Sequence, residues 1–204
     1  MLFIQSAHSL LCSALRTQAS APKYGGLSLV RSRHQLAPRK VTYIKRHTGI
    51  IPIPIGGSTK GTTLAYGDWG LRIKGQGVRL TAKQLTTAEE VIKRKIKPIK
   101  GAKVYLRVFP HLPVCVKGNE TRMGKGKGSF EYWATRVPTG RVIFEIGGAP
   151  VREELARDAL RQAGDKLPTT VEFIDRKSPP RLGNLLVTPE VKESLESSST
   201  STSS

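Results

Sequence analysis

Cysteine is nearly absent from this chain of 204 residues. Cys12 and Cys115 stand far apart, which excludes a disulfide framework and any cysteine-rich metal centre. Long apolar runs are absent too: no stretch approaches the roughly 18–20 residues that a transmembrane helix requires, so a membrane bundle is excluded. The histidines, His8, His34, His47 and His111, show no metal-ligand spacing, and neither cysteine has a histidine beside it. No Gly-x-Ser-x-Gly elbow or paired-carboxylate signature occurs. Acid is scarce: the first carboxylate is Asp68.

What is there is positive charge. Lys and Arg total 34 against 15 Asp and Glu, for a net charge of +19. Such an excess repels itself in isolation and calls for a polyanionic partner. It is unevenly spread: residues 1–67 carry +9, residues 68–150 carry +11 and residues 151–204 carry −1. The basic surface belongs to the first three quarters of the chain.

Residues 1–37 contain Arg16, Lys23, Arg31 and Arg33, no acid and much Ser and Ala. Leu2, Phe3, Leu10, Leu11 and Leu15 can share part of a helical face, which is the make-up of an organellar transit peptide. A secretory signal is the rival. Gln5, Ser6 and His8 interrupt its hydrophobic region and no basic residue precedes it, so a mitochondrial presequence is the expectation. At the other end, nine of the last eleven residues are Ser or Thr. That composition cannot pack a core, and residues 178–204 are expected to form a tail outside the fold.

Between the ends, an α+β domain is expected, with strands and helices in runs rather than in strict alternation. Residues 38–61 read as an extended basic arm, because Pro52, Pro54, Gly56 and Gly57 oppose helix and central strand alike. The core is expected over 62–177. Segment 62–77, punctuated by glycine, suggests two short strands or one with a bulge. A helix is expected from Thr81, where Thr81 and Gln84 form a capping box flanked by Leu80 and Leu85 as a hydrophobic staple. Leu85, Ala88, Val91, Ile92 and Ile96 make its apolar stripe, and Pro98 ends it. Residues 102–109 alternate as a strand. Ser129–Val137 and Arg141–Ile146 read as a hairpin turning at Pro138-Thr139-Gly140. Pro150 suits the first turn of a second helix with Leu155, Ala159, Leu160 and Ala163 inside and Gly164 as its cap. Residues 169–175 close as a last strand.

The segment Arg122-Met123-Gly124-Lys125-Gly126-Lys127-Gly128 carries the main chemical signal. It is not a nucleotide-binding P-loop, which needs Gly-x-x-x-x-Gly-Lys-Ser/Thr: Gly126 stands where the hydroxyl belongs, and the first glycine falls at Asn119. Glycines that bare the backbone, interleaved with cations, do suit close approach to phosphates. An RNA-processing or nucleotide-dependent enzyme using this loop is the rival function, and no general base, nucleophile or metal cluster accompanies the loop to support it. Aromatics are only 6% of the chain, yet Tyr43, Trp69, Phe130, Tyr132 and Trp133 lie among or beside basic residues, a mixture suited to RNA. For Phe130 and Trp133, burial is the expectation.

The run RMGKGKG at 122–128 followed by Glu131-Tyr132-Trp133, with LTAKQ at 80–84, RVFP at 107–110 and the arm from Pro38-Arg39-Lys40 to His47, resembles the ribosomal large-subunit L-sixteen family in its bacterial type. The likeness runs from about Pro38 to Asp175 with the motifs in family order. It implies a hammerhead-like α+β domain bound to large-subunit rRNA near the aminoacyl-tRNA site and peptidyl transferase centre. It also implies neighbouring ribosomal proteins and transient aminoacyl-site tRNA as partners, no cofactor and no catalytic residue. Together with the presequence, it implies the large subunit of a mitochondrial ribosome in the matrix, with no membrane partner. Arg39, Lys40, Lys45, Arg46 and His47 are then expected to thread rRNA, and Arg122, Lys125 and Lys127 to form the glycine-basic loop. Arg72, Lys74 and Arg79 complete the expected rRNA contacts. The segment at 50–61 departs from the family's more basic pattern.

Overall fold

A computed structural model describes residues 36–45, 51–124, 126–189 and 191, all within the unit Arg33–Ser204. The expected presequence lies almost wholly outside the described residues, as does the Ser/Thr-rich run from 192 onward.

The described elements run β1 (Trp69–Ile73), β2 (Val78–Thr81), α1 (Ala82–Ile96), β3 (Lys103–Leu106), β4 (Leu112–Val116), β5 (Ser129–Val137), β6 (Val142–Gly147), α2 (Glu153–Gly164), β7 (Val171–Asp175), β8 (Arg181–Leu182) and β9 (Leu185–Leu186). The strands form a four-stranded sheet ordered β3-β6-β1-β7, a three-stranded sheet ordered β2-β5-β4, and the small hairpin β8-β9. Every pairing is antiparallel. This is the expected α+β class.

Helix α1 forms for the reasons its sequence advertises. The Thr81 side chain accepts from Gln84 N at 3.2 Å, and the Gln84 side chain accepts from Thr81 N at 2.9 Å, so two amides otherwise left without partners are satisfied. Leu85, Ala88, Ile92 and Ile96 are buried along one stripe. Lys93, Arg94 and Lys95 occupy the last turn, where cations complement the helix dipole. Helix α2 buries Ala156, Ala159, Leu160, Ala163 and Gly164. Small residues let it lie close, and a Cβ on Gly164 would stand 2.6 Å from Val171 Cγ2. Both helices share one core with Leu71, Ile73, Val137, Ile143, Phe144 and Ile146. Each large aliphatic side chain removed from water there contributes about 1.5–3 kcal/mol.

Four expectations are corrected. Strands β5 and β6 are not a hairpin; they belong to different sheets. Arg141 N donates to Pro138 O, and Gly140 has φ 82°. A glycine with positive φ after an ordinary residue makes a turn of the unprimed kind, which splays its flanking strands instead of pairing them. Second, β4 was not anticipated, because Pro113 interrupts its run; the strand tolerates proline by lying at a sheet edge. Third, α2 starts at Glu153, so Pro150 precedes it, and Gly164 is the last helical residue, with Asp165 as the cap.

Fourth, the core does not stop at Lys177. Arg181 is buried, and its Nη1 donates to Glu172 Oε1 at 3.0 Å. Its backbone N donates to Thr62 Oγ1 at 3.3 Å, and Gly183 N donates to Gly56 O at 3.1 Å. The segment after β7 thereby fastens the base of the arm to the body.

Candidate nucleic-acid interface

Many cations in this fold already have partners. Lys93 pairs with Glu89, Lys95 and Arg161 with Asp158, Arg157 with Glu153, and Arg176 with Asp68. These pairs cluster on the outer faces of the two helices and near β7, matching the near-neutral C-terminal quarter. The Asp158 carboxyl is held below its ordinary range chiefly by the hydrogen bond from Lys95, and Asp175 chiefly by the Ser178 hydroxyl.

Arg72 is a correction to the expected RNA contacts. It is 2% exposed, its Nε donates to Glu172 Oε1 at 2.5 Å, and its Nη1 donates to the carbonyls of Thr62 at 3.1 Å and Pro179 at 2.9 Å. With Arg181 it flanks one carboxylate inside the fold. A guanidinium so enclosed is out of a phosphate's reach.

The other expected residues lie outside. Arg39, Lys40, Lys45, Lys74, Arg79 and Arg122 are exposed and Lys127 is half-buried; none has an acidic partner among the described residues. Arg46, His47 and Lys125 lie outside the described residues. The arm from 51 to 61 is extended, as its prolines require, and it is tied to the body at two places: Arg136 Nη1 on β5 donates to Pro52 O at 2.8 Å, and Arg141 Nη1, in the turn before β6, donates to Lys60 O at 3.1 Å. Arg79 on β2 stands directly opposite Arg136 on β5. The arm, Arg79 and Arg136 are thus brought together.

The Lys-Gly loop is elsewhere. It joins β4 to β5, and the seven steps of strand from Ser129 to Arg136 place it about 23 Å from the Arg136 end of the strand. Lys117 Nζ donates to Gly124 O across the loop. Gly124 and Gly126 have φ of 83° and 75° with open space where a Cβ would be, so glycine is demanded there by conformation rather than by crowding. The tip is bare, and Met123 is 98% exposed.

The aromatics divide. Trp133 is buried beside Phe130, ring centroids 5.1 Å apart. Trp69 stacks on Phe173 and donates through Nε1 to Val151 O, so it is a packing residue. Tyr43 is exposed in the arm. Sequence reasoning passed over Tyr66, Lys103, Lys117 and Arg136. Periodicity carries no sign of Tyr66, because its setting is made by residues far along the chain.

That setting is unusual. Glu145 on β6 has no exposed surface. Its Oε2 accepts from the backbone N of Tyr66 at 2.7 Å, Gly67 at 3.0 Å and Ala65 at 3.2 Å, and its Oε1 pairs with Arg107 Nη1. A buried carboxylate is tolerable only when so fully satisfied. Gly67 presses against β6, where a Cβ would meet Ile146 O at 2.4 Å.

Among the described residues there is no group of His, Cys, Asp or Glu able to hold a metal ion, and no helix long and apolar enough to cross a membrane.

A family model described as "Ribosomal protein L16p/L10e" matches residues 38–174. The chain is 56% identical over 160 residues to "Large ribosomal subunit protein uL16m" of Schizosaccharomyces pombe, covering 78% of this chain and 74% of that protein. It is 42% identical over 185 residues to the uL16m protein of Neurospora crassa, covering 87% and 74%. "Large ribosomal subunit protein uL16" of Leptospira biflexa is 43% identical over 141 residues, covering 69% of this chain and 97% of its own length.

Proposed function

Since the chain belongs to the ribosomal protein L16p/L10e family, we propose that it lies on large-subunit rRNA near the aminoacyl-tRNA site and peptidyl transferase centre, held there by its arm and its Lys-Gly loop. It is a structural protein of the mitochondrial large ribosomal subunit and not an enzyme. Ribosomal RNA and neighbouring ribosomal proteins are its partners.

The finer reading rests above all on one observation. Arg79 and Arg136 face each other across β2 and β5, on a surface where the nearest described arm residues are also basic or neutral. Like charges directly opposite are unfavourable in an isolated sheet. Phosphates placed between them reverse the sign of that interaction. Arg39, Lys40, Lys45 and Lys74 extend the positive surface, with Arg46 and His47 carried as arm residues of the same role. The Lys-Gly loop, through Arg122, Lys125 and Lys127, offers a second phosphate contact with its backbone exposed. From there it reaches toward tRNA transiently bound in the aminoacyl site.

Binding of the full chain to a large-subunit rRNA transcript is expected to fall by about 10³-fold or more between about 50 and 200 mM salt if six or more phosphates are contacted. A salt-independent affinity, or a tagged chain that sediments away from the large subunit, overturns the reading.

A further inference from the structure

The buried Glu145 has a use that charge neutralisation alone does not explain. A carboxylate inside a sheet is a costly way to fasten a loop, and the loop it fastens, Ala65 to Gly67, presents a tyrosine outward. Tyr66 is 63% exposed although its own amide and those of Ala65 and Gly67 on either side all donate to the Glu145 carboxylate. Its ring stacks on Tyr105 with centroids 5.5 Å apart and planes inclined by 30°. The Arg107 guanidinium carbon lies 5.2 Å from the Tyr66 ring centroid.

The strand beneath supplies the rest. Lys103, Tyr105 and Arg107 alternate onto one face of β3 and its continuation, and Tyr105 is in register with Glu145. A cation therefore stands on either side of the stacked aromatic pair. Arg107 is neutralised by Glu145, whereas Lys103 is exposed and has no acidic partner among the described residues. The nearby acid, Asp68, is paired with Arg176 at 3.1 Å. An exposed ring held rigidly, backed by a second ring and bordered by an unpaired lysine, is the arrangement on which an unpaired nucleobase stacks while its phosphate meets the lysine. A ring kept only for packing would not be left so largely in solvent on so fixed a backbone.

We propose that Tyr66, backed by Tyr105 and bordered by Lys103 and Arg107, is a stacking platform for one unpaired base of RNA. The inference rests on the reading of the chain as an rRNA-binding protein, and it adds a contact on the edge of the four-stranded sheet, separate from the arm and the Lys-Gly loop.

The test uses the full chain and a large-subunit rRNA transcript carrying a fluorescent base analogue. Tyr66→Leu is expected to weaken binding about 5- to 100-fold, the range of one base–aromatic stack, with an unchanged salt slope because no phosphate contact is lost. Tyr66→Phe keeps the ring and is expected to bind as the unaltered chain does. Quenching of an analogue at the stacked position should persist with Phe and vanish with Leu. The proposal is overturned if Tyr66→Leu binds normally, if Phe loses as much as Leu, or if the Leu variant loses affinity only in step with a large fall in melting temperature. Arg79→Ala separates the two ideas. If it weakens binding while Tyr66→Leu does not, the platform fails and the rRNA reading stands. If the unaltered chain does not bind the transcript at any salt concentration, the rRNA reading fails and the platform with it.

Discussion

Glu145 shows how a single residue can hold together parts of the chain that are distant in sequence. Its carboxylate joins the loop before β1 to the strand β6 and, through Arg107, to the end of β3. Removing it strands three backbone amides and a guanidinium without their acceptor, and such orphaned buried partners are far more costly than the net worth of the original bonds. Glu145→Ala should destabilise the fold by about 3–5 kcal/mol, read as a lower urea midpoint, with Glu145→Gln falling between the two. An alanine variant as stable as the parent would show that water takes over the carboxylate's role. None of this is visible in a linear reading, where Glu145 is one acid in an alternating strand. Arg72 misled for the same reason. It alternates with apolar neighbours like any outward cation, and only its partner Glu172, a hundred positions away, explains its burial.

At the scale of elements, the most legible part was α1. Its cap, stripe and stop are all written within about seventeen consecutive residues, and the structure reproduces them because each is a local interaction. The strand at 169–175 was legible on similar grounds. Less so were pairings between strands. The segments at 129–137 and 141–146 have the alternation and turn of a hairpin, yet the chain crosses between sheets there because the turn geometry at Gly140 opens the strands. The hairpin β8-β9 was unreadable, since a two-residue strand has no period to detect. Its attachment is nonetheless specific. Arg181→Ala removes the guanidinium shared with Glu172 and is expected to cost about 1–3 kcal/mol. Hydrogen exchange of the Gly183 amide, which donates to Gly56 O, should rise. Unchanged protection at Gly183 would mean that the hairpin is held by something other than this arginine.

For the whole molecule the governing quantity is charge. Ion pairs gather on the helix faces and β7, leaving the arm, the β2-β5 surface and the Lys-Gly loop unneutralised among the described residues. A chain of net charge +19 repels itself when alone. Salt at about 0.15 M shortens the range of that repulsion to about 8 Å. The melting temperature of the RNA-free protein is therefore expected to rise as salt is added from about 0.01 to 0.15 M, while the affinity for rRNA falls over the same range. The opposite signs come from one cause. Scanning fluorimetry checks the first, and a melting temperature that is flat or falls with salt would place the positive surface elsewhere than in mutual contact.

Composition, charge order and short motifs were enough to establish a basic α+β domain with an extended arm, a capped helix and a glycine-spaced cationic loop. They suffice because each depends on residues near one another in the chain. Which cations face outward and which are locked inside was decided by the tertiary fold, and so were the sheet in which each strand lies and the exposure of Tyr66. Burial and pairing are made by residues far apart in the chain, 79 positions for Tyr66 and Glu145 and 100 for Arg72 and Glu172, and no local pattern encodes where such partners meet.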